Sequence, residues 1–221
     1  LTQTIGGDLD LKIVLPKTMD INAVFDHRAS LAALGFGKWP VVEAAPPVVR
    51  IGEAVWVESS DFIEGVPAAR VRSFQRRIAS LYADRRGRRN RRLLVKRLGQ
   101  ARAIDNFADV ETFLQPLGFE TVWLEGASVE EQIDMFQRAE FVIGAHGAGL
   151  TNLLFCEPGT KVIEFMPTTE MRPFFWIISE KLGLRHAMQF CPGVEGAGFQ
   201  ASIHVDIDKL RSLYESIEKR R

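Results

Sequence analysis

The chain has few cysteines, no excess charge and no long apolar run. Its two cysteines, Cys156 and Cys191, stand in unrelated surroundings and form no metal-binding spacing. We therefore expect two reduced thiols in a cytoplasmic protein rather than a disulfide framework. The 28 basic residues balance the 28 acidic residues, so the net charge gives no reason to expect nucleic acid or an anionic membrane as a partner.

No apolar segment approaches the roughly 20 residues that a membrane-spanning helix needs, and no signal peptide is visible. The 221 residues are 46% hydrophobic, which is enough for the packed core of one large domain or two small ones. An arginine-rich stretch at 84–92 has neither helical nor strand periodicity, and we interpret it as a linker. One alternative is that some of its arginines face a cleft. Another is that the stretch binds nucleic acid, although it lacks the aromatic residues that would stack on bases.

Strands and helices alternate through short loops, which predicts an α/β fold with a doubly wound parallel sheet. The boundary at the arginine-rich stretch predicts a smaller N-terminal region at 1–84 and a C-terminal domain at 85–221. In the first region the pattern predicts strands at 11–16, 47–51 and 54–59 and helices at 20–35 and 66–83. In the second it predicts strands at 92–97, 119–125, 140–144, 160–165 and 185–190, and helices at 106–117, 128–139, 149–155, 172–183 and 206–219.

The stretch GAHGAG at 144–149 follows an apolar strand and opens a helix. This position is the carboxyl end of the predicted sheet, where open parallel sheets bind ligands. Gly144, Gly147 and Gly149 permit positive φ and let backbone N–H groups approach a ligand closely. A helix start adds N–H donors and partial positive charge, so the stretch is suited to phosphate.

Four polar side chains accompany these glycines: His146, Thr151, Asn152 and Glu164. His146 can donate to a phosphate oxygen or a sugar hydroxyl, and Glu164, at the end of the next strand, can accept from ribose hydroxyls. Plainer interpretations are a histidine satisfied by nearby carbonyls, a tight turn without ligand, and an exposed strand-end carboxylate. The glycines do not follow the ordered G-x-G-x-x-G fingerprint, and they follow the third strand of their half rather than the first.

The stretch GAHGAGLTNLLFCEPGTKVIEF, with LLVKR and RAIDN upstream, resembles glycosyltransferase family 61, the DUF563 group, which includes enzymes of bacterial polysaccharide biosynthesis. The resemblance covers residues from about 92 to the end and fits more loosely from about 11 to 80. It implies a GT-B-like architecture of two Rossmann-like halves around a cleft. The acceptor side would then be 1–84, and 85–221 would bind the nucleotide sugar.

Several site residues follow from this resemblance by position. Arg97 would meet the diphosphate and Glu164 the ribose. Lys96 stands where the family usually has serine, and Asp105-Asn106 replaces the usual Asn-Glu, which bears on donor preference. The family's N-terminal half generally begins well before the first strand of this chain, so either the chain is truncated or its acceptor half is reduced. The implied diphosphate loop consists of Gly144, His146, Gly147, Gly149, Thr151 and Asn152.

An Asp-x-Asp pair can hold a divalent metal on a departing diphosphate, but neither pair in this chain favours that role. Asp206 and Asp208 precede a helical pattern and are better explained as a cap with an acidic first turn. Asp8 and Asp10 precede any predicted core. We therefore expect metal-independent transfer, in which a helix start and arginine neutralise the leaving group, and no cofactor beyond the nucleotide-sugar donor.

The resulting expectation is transfer with inversion from a UDP-type sugar to a saccharide acceptor, without nucleic acid and with room for peripheral membrane association. No catalytic base is assigned, because Asp26 and His27 lie in a predicted helix and suit a solvated face. Two other classes stay open. One is an NAD(P)-dependent oxidoreductase domain, and the other is a non-catalytic or truncated nucleotide-binding module.

Overall fold

The computed structural model describes residues 12–16, 27–44, 65–85, 87–97, 103–169, 171–194 and 201–219. By its internal contacts the chain divides into two compact units, Leu1–Val57 and Glu58–Arg221. Several sequence predictions lie outside the described residues: the strands at 47–51 and 54–59, the start of the helix at 20–35, and Asp8, Asp10 and Asp26.

The described part of the first unit is a β-α-β motif. Strands β1 (Ile13–Pro16) and β2 (Val41–Ala44) pair in parallel, with helix α1 (His27–Ala33) between them. A crossover is needed here because parallel strands cannot be joined by a two-residue hairpin. The helix ends at Ala33, and Gly35, two residues later, has the left-handed φ of 80° that suits the helix end predicted from the sequence. Strand β2 was not predicted.

The second unit is built on a five-stranded parallel sheet, which confirms the predicted fold class at this level. The strand order is β4-β3-β5-β6-β7. The chain adds β4 on one side of β3 and then places β5 to β7 on the other side. The direction of sheet growth therefore reverses between β3 and β5, and such reversal points are where open sheets bind ligands. The strands are β3 (Arg91–Lys96), β4 (Phe119–Trp123), β5 (Ala139–Ala145), β6 (Lys161–Pro167) and β7 (Arg185–Cys191).

Helices cover both faces of this sheet. Successive side chains of a strand point to opposite faces, so Leu93 and Val95 join one buried cluster while Leu94 joins the other. The first cluster lies under α2, α4, α5 and a 3-10 helix at 148–155, and the second lies under α3 and α6. No helix in the described ranges has the length and hydropathy to cross a membrane. The helices are α2 (Ala68–Leu81), α3 (Phe107–Leu114), α4 (Val129–Gln137), α5 (Phe174–Leu182) and α6 (Ile207–Lys219).

Helix α4 begins with the capping box that its sequence predicts. The Ser128 hydroxyl accepts a hydrogen bond from the Glu131 backbone N–H at 3.2 Å, and the Ser128 N–H donates to the Glu131 carboxylate at 2.7 Å. Two backbone donors that the helix leaves unpaired are thereby satisfied. This fixes the start of the helix that leads into β5.

Helix α2 packs on the sheet of the second unit, although the sequence analysis grouped it with residues 1–84. Gln75, which is buried, donates its side-chain N–H to the Cys156 carbonyl. Arg72 donates to the Lys181 carbonyl at 3.1 Å. The contact boundary after Val57 therefore does not coincide with the sequence boundary after residue 84. The acceptor-side role of the first 84 residues stays a prediction.

The arginine-rich stretch is not a linker where the structure describes its side chains. Arg89, Arg91 and Arg92 bind acceptors at the amino ends of the strands, opposite to the glycine loop, so these three arginines do not face that loop either. A guanidinium suits this position because its fork of donors can satisfy several oxygens at once. Arg89 donates to the Ala139 and Pro158 carbonyls and the Thr160 hydroxyl at 3.0 to 3.2 Å, Arg91 forms two bonds to Glu120, and Arg92 pairs with Glu140 at 2.6 Å.

The two cysteines are buried and are not joined to each other. Burial raises the pKa of the Cys191 thiol to about 12 and raises the pKa of the Cys156 thiol as well. Both side chains pack as small hydrophobic groups, one in each cluster. This agrees with the expectation of reduced thiols.

Candidate functional site

The glycine loop lies at the reversal point of the sheet. Strand β5 ends at Ala145, and the His146 N–H extends its ladder by one bond to the Phe165 carbonyl at 2.9 Å. Arg97 directly follows β3, in which Val95 is opposite Gly144 of β5. Because β3 and β5 are parallel neighbours, Arg97 and the loop share the carboxyl edge where ligands bind in open sheets.

The loop glycines do not adopt the positive φ that glycine permits. Gly147 has an extended φ of 164°, and neither Gly144 nor Gly149 adopts a left-handed conformation. Space is the physical reason for glycine at two of these positions. A Cβ on Gly144 would lie 3.2 Å from the Val95 Cβ, and one on Gly149 would lie 3.1 Å from the Leu124 Cδ1. The glycines therefore let the loop pack closely on β3.

The helix predicted at 149–155 is a 3-10 helix, Ala148–Phe155. Its first backbone bond runs from the Leu150 N–H to the Gly147 carbonyl at 2.9 Å. The N–H groups of Ala148 and Gly149 precede this bond, so the helix itself offers them no acceptor. These two amides are the donors that the sequence analysis expected at the loop.

Asn152 ties the 3-10 helix to its surroundings. Its side-chain N–H group donates to the Gln132 side-chain oxygen at 3.0 Å and to the Gly149 carbonyl at 3.1 Å. Gln132 in turn donates to the Leu124 and Ala127 carbonyls. In this structure the Asn152 donors therefore hold the loop in shape, while Thr151 is exposed at the helix start.

His146 and Glu164 form a buried pair at the base of the loop. Only 2% of His146 and none of Glu164 is exposed, and the His146 Nδ1 lies 2.5 Å from a Glu164 oxygen. The second Glu164 oxygen lies 3.0 Å from the Nε2 of His186. Glu164 is thus not an exposed strand-end carboxylate, and the partner of His146 Nδ1 is a carboxylate rather than a carbonyl. The role of Glu164 as a ribose contact stays a prediction.

Sequence reasoning missed His186 and its neighbour Ser179. The signal was present in the register, because β7 follows β6 in a parallel sheet and His186 lies two positions before the residue opposite Glu164. Side chains two residues apart on a strand share one face. A histidine on that face can therefore reach a carboxylate on the neighbouring strand.

Two opposing effects determine the pKa of Glu164. Burial raises the pKa, but hydrogen bonds from His146 and His186 and the charges of these rings lower it by more, so the pKa lies below its ordinary value of 4.5. Glu164 is consequently ionised near neutral pH. An ionised carboxylate only accepts hydrogen bonds, so the ring nitrogen of each histidine that faces it carries hydrogen.

Arg97 supplies a cation with an unused donor at the same edge. Its Nη1 is buried and has no hydrogen-bond partner among the residues that the structure describes. Burial lowers the pKa of the guanidinium, while the nearby charge of Glu125 raises it, and the net shift is downward from its ordinary value. A buried donor without a partner costs free energy. An anionic ligand at this edge would remove that cost.

Two of the three residues that depart from the family pattern, Asp105 and Asn106, hold the C-terminal segment in place. Asn106 donates to the Val205 carbonyl at 2.9 Å and accepts from the Val205 N–H at 3.0 Å. Asp105 accepts from the His204 ring at 2.9 Å. The Lys96 ammonium lies 4.2 Å from the ring centre of Phe107 at the start of α3. Contacts within the fold thus account for all three side chains.

Asp206 caps helix α6, as the sequence analysis predicted. One carboxylate oxygen accepts from the N–H groups of Asp208 and Lys209, both at 3.1 Å. The backbone hydrogen bond from Lys209 is the main reason that the Asp206 pKa is lowered. Within the described ranges, no group of three or more histidine, cysteine or acidic side chains could hold a metal ion.

The glycine loop lies at the sheet reversal, where open α/β sheets bind ligands. The buried pair of His146 and Glu164 and the half-buried Arg97 lie at the same edge. The chain belongs to the glycosyltransferase 61 family, whose model matches residues 11–163. The match confirms the resemblance drawn from the sequence.

Three plant proteins are among the relatives of this chain. Beta-1,2-xylosyltransferase RCN11 of Oryza sativa subsp. japonica is 42% identical over 66 residues, which is 30% of this chain and 12% of the relative. Beta-1,2-xylosyltransferase of Arabidopsis thaliana is 34% identical over 91 residues, 41% of this chain and 16% of the relative. Alpha-1,3-arabinosyltransferase XAT3 of Oryza sativa subsp. japonica is 31% identical over 112 residues, 47% and 19% respectively. The matched segments thus span less than a fifth of each relative.

Proposed function

We propose that this chain acts as a glycosyltransferase that moves a sugar from a UDP-type donor to a saccharide acceptor with inversion, in polysaccharide biosynthesis. Family membership supports the reaction class, and it argues against the oxidoreductase alternative. The relatives are named for transfer of xylose and arabinose. A UDP-pentose is therefore the first donor to test.

The observation that carries this proposal is the buried Nη1 of Arg97, which lacks a partner within the described part of the chain. It lies at the same edge as the amide-bearing start of the 3-10 helix and His146. Arg97 and the two amides offer positive charge and N–H donors to a diphosphate. A nucleoside diphosphate is the donor fragment that needs this combination.

Transfer breaks the bond between the anomeric carbon and the diphosphate oxygen, and the acceptor oxygen forms its bond to that carbon from the opposite face. The leaving diphosphate keeps the electron pair, and the acceptor proton passes to a base. Negative charge therefore grows on the diphosphate as the transition state forms. Donors that are already in place at the loop lower the barrier because they need no reorganisation.

We further propose that this stabilisation needs no divalent metal. The cationic and N–H groups at the loop replace the ion, and Asp206, which carries the metal-like spacing, is occupied as a helix cap. The proposed architecture is GT-B-like, with the parallel sheet on the donor side and residues 1–84 toward the acceptor. The base would then come from the acceptor side.

The test is a thermal-shift and calorimetric screen of the chain with UDP, GDP, CMP, NAD and NADP, each with and without EDTA. We expect UDP to stabilise the fold by about 2.7 kcal/mol at 100 times its dissociation constant, equally in EDTA. Loss of the shift in EDTA would contradict metal independence, and stabilisation by NAD alone would contradict the donor class.

Turnover is tested separately, with UDP-xylose and UDP-arabinose and a panel of oligosaccharide acceptors. We expect sugar transfer with release of UDP. Binding of UDP without transfer to any acceptor would instead support the alternative of a non-catalytic nucleotide-binding module.

A further inference from the structure

The buried pair of His146 and Glu164 is part of a longer polar chain. The Nε2 of His186 lies 3.0 Å from the second Glu164 oxygen, and the His186 Nδ1 lies 2.7 Å from the Ser179 hydroxyl. That hydroxyl is also 2.8 Å from the Phe175 carbonyl one turn earlier in α5. The chain thus links the loop after β5 to β6, β7 and α5.

The side chains of this polar chain are buried, which makes them costly in folding free energy. The side chains of Glu164 and His186 are 0% exposed, and that of His146 is 2% exposed. The surrounding cluster is apolar and includes Val162, Phe175 and Ile178. A buried ion pair often gains no net stability over hydrophobic residues of the same volume. His146 directly follows β5 at the proposed donor site. Ligand binding therefore explains the buried pair better than a gain in stability does.

We propose that His186 is a positioning residue of the donor site: by sharing Glu164, it fixes the ring orientation and tautomer of His146. This inference rests on the proposed function. With its hydrogen held on Nδ1 by Glu164, His146 presents Nε2 to the donor site, and in this tautomer Nε2 accepts a hydrogen bond from a hydroxyl of the nucleotide, such as a ribose hydroxyl of UDP. Neither His186 nor Ser179 touches the ligand.

Hydrogen-bond geometry explains why Glu164 needs both histidines. Each oxygen of the ionised carboxylate accepts a hydrogen bond. If His146 were its only partner, the carboxylate could rotate and lose its alignment with the Nδ1 of His146. His186 occupies the second oxygen and keeps the first oxygen on the Nδ1 of His146. Such partners, which act through a ligand-binding histidine, determine which ring nitrogen carries hydrogen.

Ser179 has one hydroxyl hydrogen and two acceptors within reach. If it donates to the Phe175 carbonyl, the His186 Nδ1 must donate to the hydroxyl, and the ring then carries a positive charge that compensates Glu164. If it donates to His186, the ring is neutral. In both arrangements the Nε2 hydrogen of His186 points to Glu164, so the position of the carboxylate is the same.

Two aromatic rings complete the holder of His146. The ring centre of Phe175 lies 5.0 Å from that of His146, and the ring centre of Phe174 lies 6.5 Å away. These contacts restrict the plane of the imidazole but not its tautomer, because an aromatic ring does not distinguish Nδ1–H from Nε2–H as an ionised carboxylate does. The tautomer is therefore assigned to Glu164 and, through it, to His186.

The experiment compares three substitutions of His186 in the whole chain. Gln places its amide N–H near the position of Nε2 and keeps a donor to Glu164, Asn places its amide near Nδ1 and cannot reach, and Leu removes both. The readouts are the imidazole ¹⁵N chemical shifts of His146 in histidine-labelled protein and the UDP affinity by calorimetry.

For the parent chain we expect the ¹⁵N signature of Nδ1–H at His146. His186→Leu and His186→Asn should mix the tautomers and weaken UDP binding about 10-fold, as expected for loss of one well-placed hydrogen bond. His186→Gln should keep the signature and bind UDP within about 3-fold of the parent. A residue that served packing alone would give Gln and Asn equal effects.

The proposal is overturned if the His146 signature and UDP affinity are the same in His186→Asn and His186→Gln, whether both are kept or both are lost. If His186→Leu does not fold, this comparison of the two amides still decides. If the parent chain binds no UDP, the proposed function fails, and the ¹⁵N spectra alone then decide whether His186 determines the tautomer of His146.

Discussion

The two ends of the parallel sheet use arginine in opposite ways. At the amino end, Arg89, Arg91 and Arg92 direct their donors to carbonyls, a hydroxyl and carboxylates of the same fold. At the carboxyl end, Arg97 keeps a buried Nη1 for which the described residues provide no acceptor. The same type of residue thus completes hydrogen bonds within the fold at one end and keeps an unbonded donor at the other, where we propose that a ligand binds.

A parallel sheet makes this difference intelligible. Loops at its carboxyl edge diverge at the reversal point and leave room for a ligand, whereas chain connections at the amino edge can be closed by internal bonds. The amino-end arginines are also poorly suited to a second role, because their acceptors are already in place. We infer that the two ends differ in whether the arginine donors already have acceptors within the fold, not in how many arginines they carry.

The largest effect on stability should come from Glu164→Gln at the functional end. It leaves one of two buried histidine donors without an ionised acceptor, and breaking a buried pair typically costs about 3 kcal/mol. Because the folded pKa of Glu164 lies below its ordinary value of 4.5, its stabilising contribution is fully present above that pH and is lost as the pH falls through the folded pKa.

Urea unfolding of Glu164→Gln and the parent chain between pH 7 and pH 3 tests this. The difference in unfolding free energy should be constant at neutral pH and should shrink below pH 4.5. A difference that stays the same down to pH 3 would show that the carboxylate charge contributes nothing.

The comparison of arginines is tested directly by Arg97→Met against Arg89→Met. Arg97→Met should weaken UDP binding by about 30-fold, the loss of a charge-assisted contact of about 2 kcal/mol, and should leave stability unchanged or raise it, because a buried donor without a partner is removed. Arg89→Met should lower stability by about 2 kcal/mol through its three hydrogen bonds and leave UDP affinity unchanged.

Calorimetry with UDP and urea unfolding of both variants supply the two measurements. If Arg97→Met binds UDP as the parent does, the buried Nη1 has no role in the site. If both variants lose stability equally, the two ends of the sheet do not differ in the way that their hydrogen bonds indicate.

Local sequence signals were enough to predict the second unit. Strand lengths, the capping box at Ser128 and the cap at Asp206 depend on residues within a few positions of each other. All five strands of this sheet and their intervening helices were therefore found, with boundaries within two residues except at the end of α3. The prediction extended α3 to residue 117, whereas it ends at Leu114 and a 3-10 turn follows at Gln115–Leu117. The position of helix α2 could not be read in this way, because its partners are far away in sequence. Gln75 binds Cys156, and Arg72 binds Lys181.

The candidate site was predicted in location but not in its contacts. The sequence places His146 and Glu164 at strand ends, whereas their direct bond depends on the register of β5 against β6, and the bond to His186 depends on β7. The sequence shows that the glycines permit positive φ and a close approach of the backbone, but not which neighbours they pack against. Their role in close packing depends on Val95 and Leu124, which only the fold brings near.

The packing role of the glycines predicts a coupling between Gly149 and Leu124. Gly149→Ala should cost about 2 kcal/mol, because its Cβ would meet the Leu124 Cδ1 at 3.1 Å. Leu124→Ala removes that atom, so the double variant should be less destabilised than the sum of the single variants. If the losses of unfolding free energy were strictly additive, contact with Leu124 would not be the reason for glycine at position 149.

The smallest expected effect concerns Asp206, and it separates a cap from a metal ligand. Asp206→Ala removes the oxygen that accepts from the N–H groups of Asp208 and Lys209, so stability should fall by about 1 kcal/mol. Asp206→Asn, which can still cap a helix, should recover most of this loss. UDP affinity should be the same in both variants with and without EDTA, because the capping carboxylate takes no part in the diphosphate site. If UDP affinity fell in Asp206→Asn only when Mn²⁺ is present, Asp206 would be a metal ligand. The metal, rather than the groups at the carboxyl edge of the sheet, would then neutralise the charge of the diphosphate.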